Sequence, residues 1–129
     1  MFPSFYNIVF PACLILTVLI HLIPSRILLD PNFIKEIYGI DTVDNSIKVI
    51  ILHRATFFLF LSIFSIISAF LPSLYNLAFI FCIFSMVSFV ILFYFYPVET
   101  PSFQKVFKID ICLIIVITFS YIIQRYYGE

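Results

Sequence analysis

Hydrophobic positions along the chain run in four blocks of about 20 residues, the length a helix needs to cross a hydrocarbon core at about 1.5 Å per residue. The blocks fall at 5–23, 47–70, 74–96 and 103–123. Turn and cap residues separate them: Pro24-Ser25, Pro72-Ser73, and the stretch from Pro97 to Pro101-Ser102. Because these breaks combine proline with a capping residue, they mark helix ends and not arbitrary dips in hydropathy. The pattern predicts an all-α chain, a four-transmembrane-helix bundle forming one integral-membrane domain over 1–129. The opening Met-Phe-Pro-Ser lacks a basic leader and no small-x-small site follows the first block, so the first helix is expected to stay in the mature protein.

Only the first connection, 24–46, is polar enough to hold a feature outside the membrane. A short helix is expected at about 31–38, with Asp30 as N-cap, Pro31 in the first turn and Gly39 closing it with a positive φ. Phe33, Ile34, Ile37 and Tyr38 then share one face, with Lys35 and Glu36 toward water. The helix is read as interfacial, resting on headgroups; the alternative is a lid over a polar site. Asp44, just before the second block, is placed to cap it.

Composition narrows the class. Hydrophobic residues are 64% of the 129, charged residues 11%, and mean hydropathy is +1.18, more apolar surface than a soluble domain of this size can hide. Phe and Ile fill about a third of the chain and glycine falls to 2, so most of the length is apolar helix facing lipid or other helices. Seven basic against seven acidic residues leave no footprint for nucleic acid. Membrane lipids are the expected partners, with a protein partner or a homo-oligomer within the membrane as a further expectation. With Gly39 and Gly128 the only glycines, no phosphate-cradling loop forms. No spacing supports a nucleophile and base pair, so no catalytic residue is assigned. Cys13, Cys82 and Cys112 lie in different spans without a C-x-x-C couple and read as buried, reduced side chains. No metal site or cofactor is expected from two histidines without a carboxylate at ligand spacing.

Charges inside apolar blocks cost roughly 2.5 to 3.5 kcal/mol each on insertion scales and so mark polar sites. Arg54 lies eight residues past Ser46 and Asp110 eight past Ser102, each about 12 Å beyond the start of its span. Both spans start from the same side, so the two side chains are expected to form a buried ion pair. His21, His53 and Tyr94 sit at neighbouring depths and complete the predicted cluster of His21, His53, Arg54, Asp110 and Tyr94, with Tyr96 close by. The competing account has Arg54 snorkelling to the interface, whereas Asp110 is too short to escape. Small residues predict the inward faces: Ser62, Ser65 and Ala69 with Arg54 on the second span, Ala78, Cys82 and Ser85 on the third, and Asn7, Pro11, Leu14 and His21 on the first. Arg26, Lys35, Lys48, Lys105 and Lys108 fall on one side against Arg125 on the other. The basic side should be cytoplasmic and both termini periplasmic.

The order of His21-Leu22-Ile23-Pro24, Ile37-Tyr38-Gly39-Ile40, Leu52-His53-Arg54-Ala55, Ser85-Met86-Val87-Ser88-Phe89 and Lys108-Ile109-Asp110 resembles the small four-helix bacterial inner-membrane proteins of the DoxX-like kind, in a branch with a His-Arg-Ala motif in the second helix. The resemblance covers nearly the whole chain and implies a compact left-handed bundle in the bacterial inner membrane without established enzymatic activity. It also implies a respiratory association through relatives named for quinol-oxidase or thiol-linked systems, which the unpaired cysteines here do not match. Two functions follow as expectations. One is a non-enzymatic accessory or assembly subunit whose Arg54-Asp110 pair orders the bundle; the other is a lipid- or quinone-binding or proton-coupled transport module with a cytoplasm-facing His/Arg/Asp pocket. Cavity geometry discriminates them: a packed pair without a void favours the first, an open pocket the second.

Overall fold

Each apolar block becomes one long helix, as side chains with nowhere polar to turn require when backbone groups must be satisfied within the segment. A computed structural model describes residues 5–41 and 43–128. Helix α1 spans Phe5–Ser25 and runs into a 3-10 turn at Arg26–Leu28; α2 is Phe33–Tyr38, α3 Asn45–Phe70, α4 Tyr75–Phe95 after a 3-10 turn at Pro72–Leu74, and α5 Pro101–Tyr127. All four long helices are long and apolar enough to cross a membrane. The chain is an all-α four-helix bundle, and four helices of this length and hydropathy make it a multi-pass membrane protein.

Helix ends follow local chemistry. Asp44 caps α3, its carboxylate accepting from the Ile47 N–H at 2.9 Å. Gly39 ends α2 at φ 69°, its N–H donating to the Lys35 carbonyl at 2.8 Å. Its left-handed conformation suits glycine, and a Cβ there would also meet Thr100 Cγ2 at 2.9 Å. Helix α2 begins two residues later than the sequence predicts. Asp30 spends its cap on a tighter turn, its side chain accepting from the Asn32 N–H at 2.9 Å and its carbonyl from the Phe33 N–H at 3.1 Å. Pro24, expected to end the first span, lies inside α1: near a helix end the ring forfeits little, and the Ser25 hydroxyl donates to the His21 carbonyl at 3.1 Å. At its far end α5 outruns its apolar block by a turn, because hydropathy marks the membrane boundary and not the end of the helix.

Around the bundle the neighbouring pairs are α1/α3, α3/α4, α4/α5 and α5/α1, with α1 packed most extensively on α3. Consequently α1 faces α4 and α3 faces α5 across the diagonals. Large outward residues such as Phe60, Phe84 and Phe119 stay exposed, as a lipid-facing surface requires. The small-residue stripes turn inward as predicted: Ser62, Ser65, Ala78 and Cys82 are buried, and Ser65 Oγ lies 3.5 Å from Cys82 Sγ between α3 and α4.

The two halves of the bundle differ. In the half holding the α3–α4 connection, aromatic side chains fill the centre: Phe10 meets Tyr75 and Tyr121 edge-on, and Phe79 stacks on Tyr121 at 4.1 Å. The Tyr121 hydroxyl donates to Asn76 Oδ1 at 2.6 Å, and Gln124 Nε2 to Asn7 Oδ1 at 3.2 Å. In the other half α2 folds back onto the bundle. Ile34 and Tyr38 are buried with Ile27 and Ala55 in a second apolar cluster, with Phe103 against it. Burial of Ile34 and Tyr38 packs this face of the short loop helix onto the end of the bundle, while Lys35 and Glu36 stay exposed. Between this cluster and the main core the bundle is hollow.

Candidate functional site: a polar-walled cavity under α2

The hollow is a cavity of about 90 Å³ open at one mouth, and all five α helices line it. Its lining is mostly apolar with a few directed polar groups, the composition of small-molecule sites. Its walls are largely isoleucine and phenylalanine, and its polar members are His21, Tyr38, Arg54, Ser85 and Asp110.

Arg54 enters from the first half of α3, half-buried. Its guanidinium carbon lies 5.1 Å from the ring centroids of both Phe58 and Phe89, a cation–π setting that holds the plane without using the N–H donors. Asp110 enters from α5 and is 8% exposed. The predicted buried ion pair does not form. Among the described residues the one ion pair within 4.0 Å is Lys35–Asp41, at 2.6 Å on the surface. The physical reason is lateral order: equal depth puts Arg54 and Asp110 on one level, but α3 and α5 are diagonal partners with the cavity between them.

His21, buried in α1, lies with Nδ1 2.9 Å from the Thr17 carbonyl. A carbonyl only accepts, so Nδ1 carries the hydrogen, and in the neutral ring Nε2 is left as an acceptor. The ring packs edge-on to Phe58 at 5.3 Å. Tyr38, from α2, is 6% exposed and packs against Phe103 at 5.4 Å between centroids. Its hydroxyl is buried without a hydrogen-bond partner among the described residues. Burial pushes the phenol above its usual pKa, with the charge of Arg54 opposing, so the hydroxyl remains a donor through neutral pH.

Two predicted members stand outside. His53 is exposed on α3 and does not line the cavity; consecutive helical residues point about 100° apart, so the turn that brings Arg54 inward carries His53 out. Tyr94 is 78% exposed and Tyr96 73%, and α4 instead presents Ser85 and Phe89 to the cavity. The cysteines are not uniformly buried either: Cys82 is, Cys13 is half-buried and Cys112 is exposed on the lipid-facing side of α5. Tyr38, absent from the sequence cluster, belongs to the site. The available signal was its place beside Ile34 and Ile37 on the inner face of the loop helix.

The arrangement can therefore bind but offers no nucleophile–base couple, and the described residues contain no group of three His, Cys, Asp or Glu placed to hold a metal ion. A donor fork, a carboxylate, a phenol and an imidazole line one cavity, and the phenol is buried without a partner among the described residues, which is costly in an apolar wall. No protein-family model, no curated protein and no solved structure matches the chain.

Proposed function

We propose that the protein is a membrane-embedded binding module whose cavity under α2 receives a small amphipathic molecule, its polar end among Arg54, Asp110, His21 and Tyr38 and its apolar end along the isoleucine and phenylalanine walls. The observation that carries this reading is the buried, unpartnered Tyr38 hydroxyl on the same cavity as an unpaired Arg54 and Asp110. The Tyr38 hydroxyl lost its water on burial, and a ligand in the cavity would restore its hydrogen bond. A transport role for the same pocket is compatible with this reading, since α2 covers its end.

The basic residues at the cavity end, with the DoxX-like resemblance of the sequence, support placement in a bacterial inner membrane, the cavity in the cytoplasmic half and both termini in the periplasm. The competing proposal, an accessory or assembly subunit, draws on the exposed Phe and Ile surface, which lipid alone also accounts for.

The test is native mass spectrometry of the gently purified protein. A bound small molecule is expected on the wild type and not on Ser85→Trp, which fills the cavity. Equal adducts on both proteins, or none on either, would remove the binding reading.

A further inference from the structure

We infer that the cavity's ligand carries a zwitterionic head, an anionic group set against Arg54 and an ammonium group set against Asp110; this deepens, and rests on, the binding reading above. Two opposite charges stand on diagonal helices without touching, and neither has a protein partner among the described residues. Each ligand class leaves a different remainder. A plain anion would satisfy Arg54 while facing the carboxylate of Asp110. A plain cation would satisfy Asp110 and meet Arg54, and an uncharged head would leave both charges unpaired. Only a head with both signs, oriented along the Arg54-to-Asp110 line, neutralises both walls at once, and juxtaposed like charges are what exclude the others.

The remaining polar groups fit the same placement. The Tyr38 hydroxyl, buried and unpartnered, has a proton to donate to an anionic oxygen. His21 holds its Nδ1 hydrogen on the Thr17 carbonyl, and its free Nε2 accepts from an ammonium. The two Phe rings beside Arg54 interact with the cation and not with its N–H donors, which are the groups that fork onto an oxyanion. The chemistry is that of an aminophospholipid headgroup or of a free zwitterion such as phosphoethanolamine.

The test uses the full chain in maltoside micelles, which carry no charge, titrated by native mass spectrometry with phosphatidylethanolamine, phosphatidylglycerol and diacylglycerol of matched acyl chains. Wild type is expected to prefer phosphatidylethanolamine by about tenfold or more. Asp110→Asn should turn that preference toward phosphatidylglycerol, a gain that misfolding cannot produce, and Arg54→Gln, titrated in addition with a long-chain alkylammonium, should abolish the preference for phosphatidylethanolamine over that cation. Displacement of the lipid by phosphoethanolamine would support the zwitterion with a free source, and preference without displacement would support it with a membrane source. Equal binding of phosphatidylglycerol and phosphatidylethanolamine, unchanged in Asp110→Asn, would overturn the zwitterion while leaving the binding reading. Binding of every lipid to the Ser85→Trp variant as to wild type would overturn the binding reading itself.

Discussion

Asp110→Asn in the ligand-free protein separates an unpaired carboxylate from a salt-bridged one by the sign of its effect. Were Asp110 in direct contact with Arg54, removing its charge would strand the guanidinium, and breaking a buried pair costs about 3–5 kcal/mol. The observed arrangement has no contact within 4.0 Å between them. At an effective dielectric constant of about 20 the attraction of two unit charges is about 4 kcal/mol at about 4 Å and falls in inverse proportion to distance, so without contact it lies below that value. Against that loss stands the desolvation of a buried carboxylate, which is several kcal/mol per ion after relaxation. The amide, nearly the same size, carries a far smaller penalty. Asp110→Asn is therefore expected to be neutral or stabilising, by about 1–3 kcal/mol. The assay is reversible unfolding in mixed micelles after delipidation, with Arg54→Gln and the double variant completing a cycle whose coupling should stay below the about 3–5 kcal/mol of a contacting buried pair. A loss of 3 kcal/mol or more in Asp110→Asn, recovered in the double variant, would refute the unpaired geometry.

Other substitutions probe the cavity, its cover and the orientation of the chain. Tyr38→Phe removes a hydroxyl that has no partner, so it should leave the ligand-free protein as stable or firmer by about 1 kcal/mol while weakening ligand binding about tenfold; unfolding and titration read the two effects separately. Gly39→Ala forces an L-residue to φ 69° and its Cβ against Thr100, which should cost about 1–2 kcal/mol and raise hydrogen exchange in α2 before the long helices. Ser65→Leu overfills the α3/α4 contact at Cys82 and should destabilise by about 1–3 kcal/mol in the same unfolding assay. An alkaline phosphatase fusion after residue 128 should be active and a fusion within 31–38 inactive; the reverse pattern would invert the proposed orientation.

Hydropathy exposed the four spans because each must satisfy its backbone internally and hide its charges, two constraints written in every residue. Asp44 and Gly39 were equally legible, since a cap and a positive φ depend on neighbours within one turn. The lateral arrangement was not. Counting residues from a span's start estimates depth along the helix axis, and the three residues it grouped, Arg54, Asp110 and His21, line one cavity. It says nothing about whether α3 and α5 are adjacent or diagonal, which is decided by side-chain packing around the whole ring; hence a contact was expected where a cavity lies. His53 failed for a related reason, as adjacency in sequence is nearly perpendicular placement on a helix. Tyr38 was hidden because the amphipathic pattern of a loop helix does not say what its apolar face packs against; the structure buries Ile34 and Tyr38 on the bundle end.

The central claim is that Arg54 and Asp110 are held apart to receive a ligand, and an experimental structure of the natively purified protein in lipid tests it most directly. Non-water density spanning the cavity from Arg54 to Asp110, in reach of the Tyr38 hydroxyl, is the predicted result. A direct Arg54–Asp110 contact of about 2.7–2.9 Å across a collapsed cavity would contradict it.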